Sequence, residues 1–256
     1  MEGYILIYAI INQKGGVGKS TTAGALWAGL NKRGYKTLAV DLDAQGNLTY
    51  TARASNGRGQ LTALSILTRE ATAEEAIQHT ETGDVIAANK ELAGADAFIT
   101  STGKEYRLKE ALESLKAEYD YIIIDTPPAL GILTINALTA ADSVIIPAQA
   151  DIYSLQGIDQ LMETITPVKQ YCNPGLTIAG IILNRYNPRT VLTRDVTEYL
   201  KSLANKIGTK VYNSTIREAI TVKEAQLRQE SIFDYAPNSK AAADYTAFLD
   251  ELTKEG

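Results

Sequence analysis

The chain contains very little cysteine and histidine. Among its 256 residues there is one cysteine, Cys172, and one histidine, His79. Disulfide scaffolds, iron–sulfur clusters, zinc sites and Ser-His-Asp or Cys-His catalysis each need several such side chains at one point. These classes of protein are therefore excluded, and any catalysis must rest on carboxylates, lysines, hydroxyl groups and backbone amides.

Long apolar runs are also missing from the sequence. No run approaches the roughly 20 residues that span a bilayer, and the apolar residues 4–11 are followed directly by polar Asn12, Gln13 and Lys14. We therefore expect a cytoplasmic protein with no membrane attachment. The hydrophobic content of 45% is enough for a packed core and fits a single α/β domain over residues 1–256.

Charge is distributed unevenly along the chain. The net charge of −5 argues weakly against a nucleic-acid partner. The segment from Arg185 to Arg228, however, carries nine basic and four acidic residues, so it is locally positive. A basic surface contributed by this segment is therefore compatible with an acidic protein.

Buried-strand patterns alternate with helical patterns along most of the chain. Five short runs rich in Ile, Val and Leu are typical of strands buried on both faces: residues 4–11, 37–40, 121–124, 143–146 and 177–183. Helices are predicted over residues 20–33, 106–118, 155–171, 193–204 and 241–252. This alternation predicts a doubly wound, mostly parallel sheet with helices on both faces. Residues 55–81 show two short helical patterns and no strand pattern, so we expect an insertion lying against the sheet.

A glycine-rich loop follows the first predicted strand. Residues 12–22 read NQKGGVGKSTT and precede a predicted helix, which is the context of a phosphate-binding loop. Gly15, Gly16 and Gly18 let backbone N–H groups point at phosphate oxygens, and the helix amino terminus adds positive potential. Lys19 is expected to reach the β- and γ-phosphates, and Ser20 to offer its hydroxyl to Mg²⁺. The loop therefore predicts an anion cradle of the P-loop NTPase type.

The loop departs from the common P-loop pattern at its start. Gln13 stands where the first glycine is expected, and Lys14 opens the run KGGVGKST. This run resembles the deviant Walker A box of the ParA/MinD family (SIMIBI class), in which the extra lysine reaches the partner's nucleotide across an ATP-sandwich dimer. The resemblance implies catalytic roles for Lys14 and Lys19. It implies ATP contacts along the whole loop, at Lys14, Gly15, Gly16, Val17, Gly18, Lys19, Ser20 and Thr21.

Two carboxylates follow the second predicted strand. Asp41 and Asp43 lie at the carboxyl end of that strand, where doubly wound sheets bind their ligands. The pair resembles the family's second acidic box. The resemblance implies that Asp43 is a catalytic residue that positions the attacking water, and it places Asp41 in the outer shell of the metal.

A third carboxylate ends the apolar run at residues 121–124. Asp125 stands directly after this run, and Thr126, Pro127 and Pro128 follow it. The pattern is typical of a Walker B strand, whose carboxylate holds Mg²⁺ through a coordinated water. We therefore assign Asp125 to the metal together with Ser20. The two prolines fix the following turn, which can respond to the γ-phosphate as a switch.

Segments beyond these motifs resemble ParA/Soj proteins in the expected order. They are residues 84–95, Pro147, residues 154–157, Glu224-Ala225 and residues 235–237. The resemblance implies a homodimeric ATPase that segregates plasmid or chromosomal DNA, with ATP and Mg²⁺ as cofactors. In this family ATP drives a sandwich dimer that binds nonspecific DNA of the nucleoid. A ParB-like, centromere-binding partner then stimulates the otherwise slow hydrolysis to ADP and phosphate.

The resemblance also assigns residues late in the chain. Asn184, Thr215 and Arg217 match positions that hold the adenine. Arg189 matches a DNA-binding position, whereas Thr221 stands where a further basic residue is usual. Because phosphate contacts need only basic side chains on one face, neighbouring residues can take over this role. The predicted DNA-binding residues are therefore Arg189, Arg217, Lys223, Arg228 and Lys240.

Other functions on the same scaffold need features that the sequence supplies poorly. A MinD-like, membrane-associated regulator needs a terminal amphipathic helix with a basic polar face, but residues 240–256 carry two basic and four acidic residues. A nitrogenase-iron-protein-like reductase needs cysteines for a cluster. A ligase or kinase needs a second substrate pocket. A sequence-specific DNA reader needs an amino-terminal helix-turn-helix, for which the early first strand leaves no room.

Overall fold

The strands of the protein form one sheet. The computed structural model of the chain describes residues 5–254, except for the side chains of Ile152 and Leu192, so Tyr4 of the first predicted strand lies outside the described residues. The strands are β1 (Leu6–Ile10), β2 (Thr37–Asp41), β3 (Ile77–His79), β4 (Asp84–Ile86), β5 (Tyr121–Asp125), β6 (Ser143–Ala148), β7 (Thr177–Asn184) and β8 (Val211–Ile216). Their spatial order is β3-β4-β2-β5-β1-β6-β7-β8. Every pairing is parallel except that of β3 with β4.

Helices connect the strands and cover both faces of the sheet. In chain order they are α1 (Lys19–Lys32), α2 (Asn47–Thr51), α3 (Ala63–Leu67), α4 (Ala73–Ala76), α5 (Ala95–Phe98), α6 (Arg107–Leu112), α7 (Ile132–Ala140), α8 (Ile152–Tyr171), α9 (Val191–Lys206), α10 (Ile220–Arg228), α11 (Ile232–Tyr235) and α12 (Lys240–Thr253). Short 3₁₀ turns occupy Lys90–Gly94, Lys104–Tyr106 and Glu113–Leu115. Over the described part of the chain, no helix is both long and apolar enough to cross a membrane.

Strand β1 shows why the central strands are apolar at every position. Ile7 and Ala9 pack into the core on one face of the sheet. Tyr8 and Ile10 pack into a second core on the opposite face. Because both faces are covered, successive side chains are buried in opposite directions, and the strand loses the polar alternation of a half-exposed strand.

The predicted fold class is confirmed, with differences in detail. The five predicted strands and the helices α1, α8, α9 and α12 are all present among the described residues. The helix predicted over residues 106–118 ends at Leu112 and continues as a 3₁₀ turn. Strands β3, β4 and β8 were not predicted, because β3 and β4 have three residues each and β8 is rich in polar residues.

The expectation of a strand-free insertion over residues 55–81 is wrong. Residues 77–79 form the edge strand β3, paired with β4. Helix α3 is not a surface addition either, because Ala63, Ile66 and Leu67 are buried in the core. The apolar residues of this segment therefore complete one face of the sheet.

The opposite edge of the sheet is closed by a side chain. The Glu251 carboxylate on α12 accepts hydrogen bonds from the backbone N–H groups of Asn213 and Ser214 on β8, at 2.8 and 2.9 Å. Burial disfavours its charge, but these hydrogen bonds outweigh burial and lower the pKa of Glu251. Glu251 therefore satisfies edge N–H groups that would otherwise face solvent.

Helix α1 is fixed in place by a close approach at Gly29. A Cβ atom at this position would lie 2.9 Å from Cε2 of Phe233 on α11 and would also collide with Leu249 on α12. At Gly24 on the same helix, the nearest atom to such a Cβ would be Cδ1 of Leu48, at an ordinary 3.4 Å. Only Gly29 is therefore required by the packing of α1.

This difference can be tested with Gly29→Ala and the matched control Gly24→Ala. Alanine favours a helix by about 1 kcal/mol over glycine, whereas overpacking a core costs about 1–3 kcal/mol. We expect Gly29→Ala to lower the free energy of unfolding in urea and Gly24→Ala to leave it unchanged or raise it. Equal stabilities of the two variants would contradict this account of the packing.

Candidate active site

The glycine-rich loop joins the end of β1 to the start of α1. Gly18 precedes the helix with φ +94°, a conformation that favours glycine. A Cβ atom there would also lie 2.7 Å from Nδ2 of Asn184, so a side chain at this position would collide with the end of β7. Glycine is therefore favoured at position 18 both by the backbone conformation and by the close approach of β7.

Two residues that the sequence reasoning missed hold this loop to the sheet. Asn12 is buried; its Nδ2 donates to the Pro147 carbonyl at 2.7 Å, and its Oδ1 accepts from the Lys14 N–H at 2.9 Å. Gln149 donates from Nε2 to the Gly16 carbonyl at 3.3 Å. The only signal for Asn12 was a polar residue directly after an apolar strand.

The loop forms one wall of a cleft of about 600 Å³. Most residues predicted to bind the phosphates line it, namely Gly15, Gly16, Gly18, Lys19, Ser20, Thr21 and Asp43. Pro128 of the predicted switch turn and Lys223 of the predicted DNA-binding set also line it, and side chains that the sequence did not single out complete it: Gln45, Asn47, Tyr50, Thr51, Arg185, Gln226 and Leu227. The structure thus brings the motifs of β1, β2 and β5 to one cleft.

Lys19 is a buried cation in this cleft. Its Nζ lies 3.4 Å from the Lys14 carbonyl oxygen. Burial lowers the pKa of Lys19, and the nearby carboxylates of Asp125 and Asp43 partly oppose that shift. An anion bound in the cleft would favour the charged ammonium further.

Asp125 and Ser20 fit a magnesium ion. Asp125 is fully buried at the end of β5, and within residues 5–254 neither of its oxygens accepts a hydrogen bond of ordinary geometry. Burial and the neighbouring Asp41 raise the pKa of Asp125 well above its usual range, while Ser20 and Lys19 act in the opposite direction. Because Mg²⁺ takes one or two protein oxygens and completes its shell with phosphate and water, this donor set is sufficient.

Asp41 at the end of β2 pairs with Asp125 in the sheet and is also fully buried. Its Oδ1 accepts from the Asp43 N–H at 3.0 Å, and its Oδ2 accepts from the Thr49 N–H and hydroxyl at 2.8 and 2.7 Å. Burial raises the pKa of Asp41 to about 6, against these hydrogen bonds. The contacts give Asp41 a structural role in shaping the loop, and its assignment to the outer shell of the metal stays a prediction.

Asp43 follows β2 at the wall of the cleft. Its Oδ1 accepts from the Gln45 N–H at 3.0 Å, and the residue is almost fully buried. The carboxylate is therefore held in a fixed direction by the backbone turn that carries it. Its predicted role in positioning water stays a prediction.

A smaller pocket adjoins the cleft at the ends of β7 and β8. Asn184 donates from Nδ2 to the Val17 carbonyl at 2.8 Å and to the Thr22 hydroxyl at 3.1 Å. Its Oδ1 is buried and has no hydrogen-bond partner in the described range. An unpaired buried acceptor suits an N–H donor of a ligand.

The lining of this pocket differs from the prediction at one residue. It includes Val17, Asn184 and Arg217 but runs from Ile216 to Ala219 at the end of β8. Thr215 lies one residue earlier and pairs with Leu183 in the sheet. Arg185, which has φ +52° and lines both the pocket and the cleft, is an addition that the sequence reasoning missed.

Lys14 lies outside the cleft that its own loop forms. Its ammonium forms an ion pair with Asp151, the residue before α8, and lies 5.7 Å from the centre of the Tyr153 ring. Burial disfavours the charge of Asp151, but hydrogen bonds from Lys14 and Ser154 outweigh it and lower the pKa of Asp151. Lys14 is not among the described residues that line the cleft.

The predicted DNA-binding residues differ in their availability. Arg217 forms a two-pronged ion pair with Asp244, at 2.6 and 2.7 Å, and Lys223 lies 3.7 Å from Glu218. Lys240 stands one helical turn before Asp244 on α12, which places it near Arg217. Arg189, Arg228 and Lys240 are exposed.

The fold and the cleft define a P-loop nucleoside triphosphatase. Residues 5–178 match the protein family described as "AAA domain". The chain is 42% identical to the sporulation initiation inhibitor protein Soj of Bacillus subtilis over 253 residues, covering 98% of this chain and 99% of Soj. It is 39% identical to the chromosome partitioning protein ParA of Myxococcus xanthus over 251 residues, covering 97% and 88% of the two chains. The chain belongs to the ParA/MinD family of P-loop ATPases, as the resemblance of its motifs predicted.

Solved structures agree with this assignment. A cobyrinic acid a,c-diamide synthase from Mycobacterium smegmatis with a bound ATP analogue and magnesium has a TM-score of 0.84 and 34% identity, covering 98% of this chain and 95% of that one. A plasmid partition protein from Borrelia burgdorferi bound to AMPPNP has a TM-score of 0.83 and 25% identity, covering 98% and 99%. The ligands of these relatives agree with the predicted cofactors, ATP and Mg²⁺.

The buried Asp125 predicts a particular dependence of stability on pH. Because its pKa is raised in the folded protein, the folded state holds this proton more tightly than the unfolded state does. The protonated Asp125 therefore contributes to the free energy of unfolding at low pH, and this contribution is lost as the pH rises through the folded-state pKa. The raised pKa of Asp41 changes stability with pH in the same direction. Asp41 is present in both the parent and the variant, so the comparison isolates Asp125.

We expect the nucleotide-free Asp125→Asn variant to lose less stability than the parent between about pH 5 and pH 8. Urea unfolding at both pH values measures this. Asp120→Asn, a change of the same type at the exposed residue before β5, serves as the matched control. If Asp125→Asn showed the same pH dependence of stability as the parent, the Asp125 carboxyl group would not be the cause of that dependence.

Proposed function

We propose that the protein is a dimerising Mg²⁺-ATPase that binds nonspecific DNA in its ATP state and segregates plasmid or chromosomal DNA with a ParB-like partner. The observation that carries the proposal is the position of Lys14. This lysine belongs to the phosphate-binding loop but pairs with Asp151 outside its own cleft. A cation in that position is suited to the nucleotide of a second subunit rather than to its own.

The cleft supports ATP as the substrate. Lys19 would hold the β- and γ-phosphates, and Ser20 and Asp125 would hold Mg²⁺, which supplies charge neutralisation when bound. Asp43, fixed by the Gln45 N–H, would orient the attacking water. The partnerless Oδ1 of Asn184 would accept a hydrogen bond from the adenine amino group, and this pairing would favour adenine over guanine.

Slow intrinsic turnover follows from this arrangement. In the single chain Lys14 is paired with Asp151, so this lysine of the loop is not directed at the phosphates of its own site. Closure of a dimer would bring the partner's lysine to each site and exclude water. A ParB-like partner that favours the closed form would therefore accelerate hydrolysis.

The relatives support partitioning over other functions of the family. Soj and ParA match nearly the whole chain at 42% and 39% identity. The ligase-like relative, the cobyrinic acid a,c-diamide synthase, matches at 34%, and such an enzyme needs a second substrate pocket beside the ATP. We therefore favour DNA segregation, in the cytoplasm and at the nucleoid.

A MinD-like membrane role is less well supported by the last helix. The apolar residues of α12 that could enter a bilayer, Tyr245, Phe248, Leu249 and Leu252, are packed in the core of the protein. Anchoring by an interfacial helix needs such a stripe to be free. We therefore propose that the partner surface is DNA and not lipid.

The first test is binding to random-sequence duplex DNA with ATP, with ADP and without nucleotide. The Asp43→Ala variant should hold the triphosphate state, so we expect it to bind DNA with ATP more persistently than the parent. Lys19→Ala is the control and should show no response to nucleotide. Fluorescence anisotropy of the labelled DNA at moderate salt measures the binding of the parent and of both variants. ATP hydrolysis by Asp43→Ala at the parent's rate would refute the role given to Asp43.

The second test concerns the DNA surface. Arg189 is exposed after the carboxyl end of β7, and we expect Arg189→Ala to weaken binding to all DNA sequences about equally. The slope of log affinity against log salt should fall by roughly one. The control Lys116→Ala, at the opposite end of the sheet before β5, should change neither the affinity for DNA nor the salt dependence. Unchanged binding by Arg189→Ala would place the DNA contacts elsewhere.

A further inference from the structure

The side chain of Gln226 connects α10 to the phosphate-binding loop. Its Nε2 donates a hydrogen bond to the Thr21 hydroxyl oxygen at 2.9 Å, between residues 205 positions apart in the sequence. Thr21 is near the start of α1, and both residues line the cleft. Gln226 also borders the pocket that contains Asn184. It therefore stands where the two parts of the candidate nucleotide site meet.

The direction of this hydrogen bond determines what the Thr21 hydroxyl can do. A hydroxyl group has one proton to donate and two lone pairs that accept. A threonine in a helix often donates to the carbonyl four residues earlier. That carbonyl belongs to Val17 and already accepts from Asn184 at 2.8 Å. With Gln226 as donor to its oxygen, Thr21 has its own proton left for another acceptor.

The surroundings indicate where that proton goes. Among the hydrogen bonds of the described residues, the Thr21 hydroxyl takes part only as an acceptor. A ligand in the cleft can supply the acceptor for this proton, since the cleft wall includes Lys19 and the backbone of Gly16 and Gly18. Such a wall favours an anion.

We propose that Gln226 is a positioning residue for nucleotide binding, which directs the Thr21 hydroxyl to donate to a phosphate oxygen. This inference rests on the proposed function only in taking the ligand of the cleft to be a nucleotide. It gives a defined role in nucleotide binding to one of the α10 residues that line the cleft.

Two substitutions of Gln226 separate polarity from packing. Gln226→Met keeps the length of the side chain and removes the donor. Gln226→Glu offers only an acceptor, so the Thr21 hydroxyl would donate to it and turn its proton away from the ligand. Ile220→Glu, at the exposed start of the same helix, adds the same charge outside the cleft and serves as the control.

Equilibrium binding of a fluorescent ATP analogue with Mg²⁺ provides the measurement. A neutral hydrogen bond contributes about 0.5–1.5 kcal/mol, so we expect Gln226→Met to weaken binding about threefold to tenfold. Gln226→Glu should weaken binding more than Gln226→Met does, and Ile220→Glu should bind as the parent does. Adenosine, which has no phosphate, should compete equally well against all four proteins.

A double-mutant cycle with Thr21→Val tests whether Gln226 acts through Thr21. We expect the double variant Thr21→Val/Gln226→Met to bind no more weakly than Thr21→Val alone. Additive losses, or full affinity in Gln226→Met, would overturn the inference while leaving the ATPase proposal intact. Failure of the parent to bind ATP would instead overturn both. Thermal unfolding without nucleotide verifies that each variant is folded.

Discussion

The in-register pairing of the parallel strands β2 and β5 is the constraint on which the candidate site depends. Asp41 pairs with Asp125, and on the other side of β5, Asp125 pairs with Ile10 at the end of β1. Three strands therefore end at one level, and the loop that leaves β1 carries Lys19 and Ser20 to the same place. Two buried carboxylates and a buried ammonium then share a small volume, and a bound phosphate with its cation would compensate charges that burial otherwise penalises.

The sequence predicts the parts of this site that lie within one continuous segment. The loop at residues 14–21 and the strand ends at Asp43 and Asp125 could be found because spacing and local pattern specify their chemistry. Asn12, Arg185 and Gln226 could not, since each acquires its role from a partner or pocket that only packing brings near. The strand β8 was missed for a related reason. Its Asn213 and Ser214 look like a loop in the sequence, whereas in the structure they belong to a strand paired with β7, and Glu251, far along the chain, accepts from their N–H groups.

Ion pairs within the chain determine which of its basic residues are available to a partner. A count of charge between Arg185 and Arg228 treats every cation as available to a partner. The structure shows instead that Arg217 is held by Asp244, as Lys14 is held by Asp151. An ion pair within the chain need not prevent such a cation from binding a phosphate. When the cation exchanges its carboxylate partner for a phosphate, one anion replaces another. The free energy of the exchange can then be small, and a modest change in geometry is enough to reverse it.

The closure of the β8 edge by Glu251 has a consequence for self-association. An open edge strand presents N–H and C=O groups on which a second chain can add a strand, and sheets that grow in this way form fibres. Here the N–H groups of Asn213 and Ser214 are already occupied, and the other edge strand has only three residues. Growth of the sheet from chain to chain is therefore disfavoured at both ends. In the proposed function the protein meets copies of itself repeatedly and separates from them again, and the closed edges would protect it from an association that it could not easily reverse.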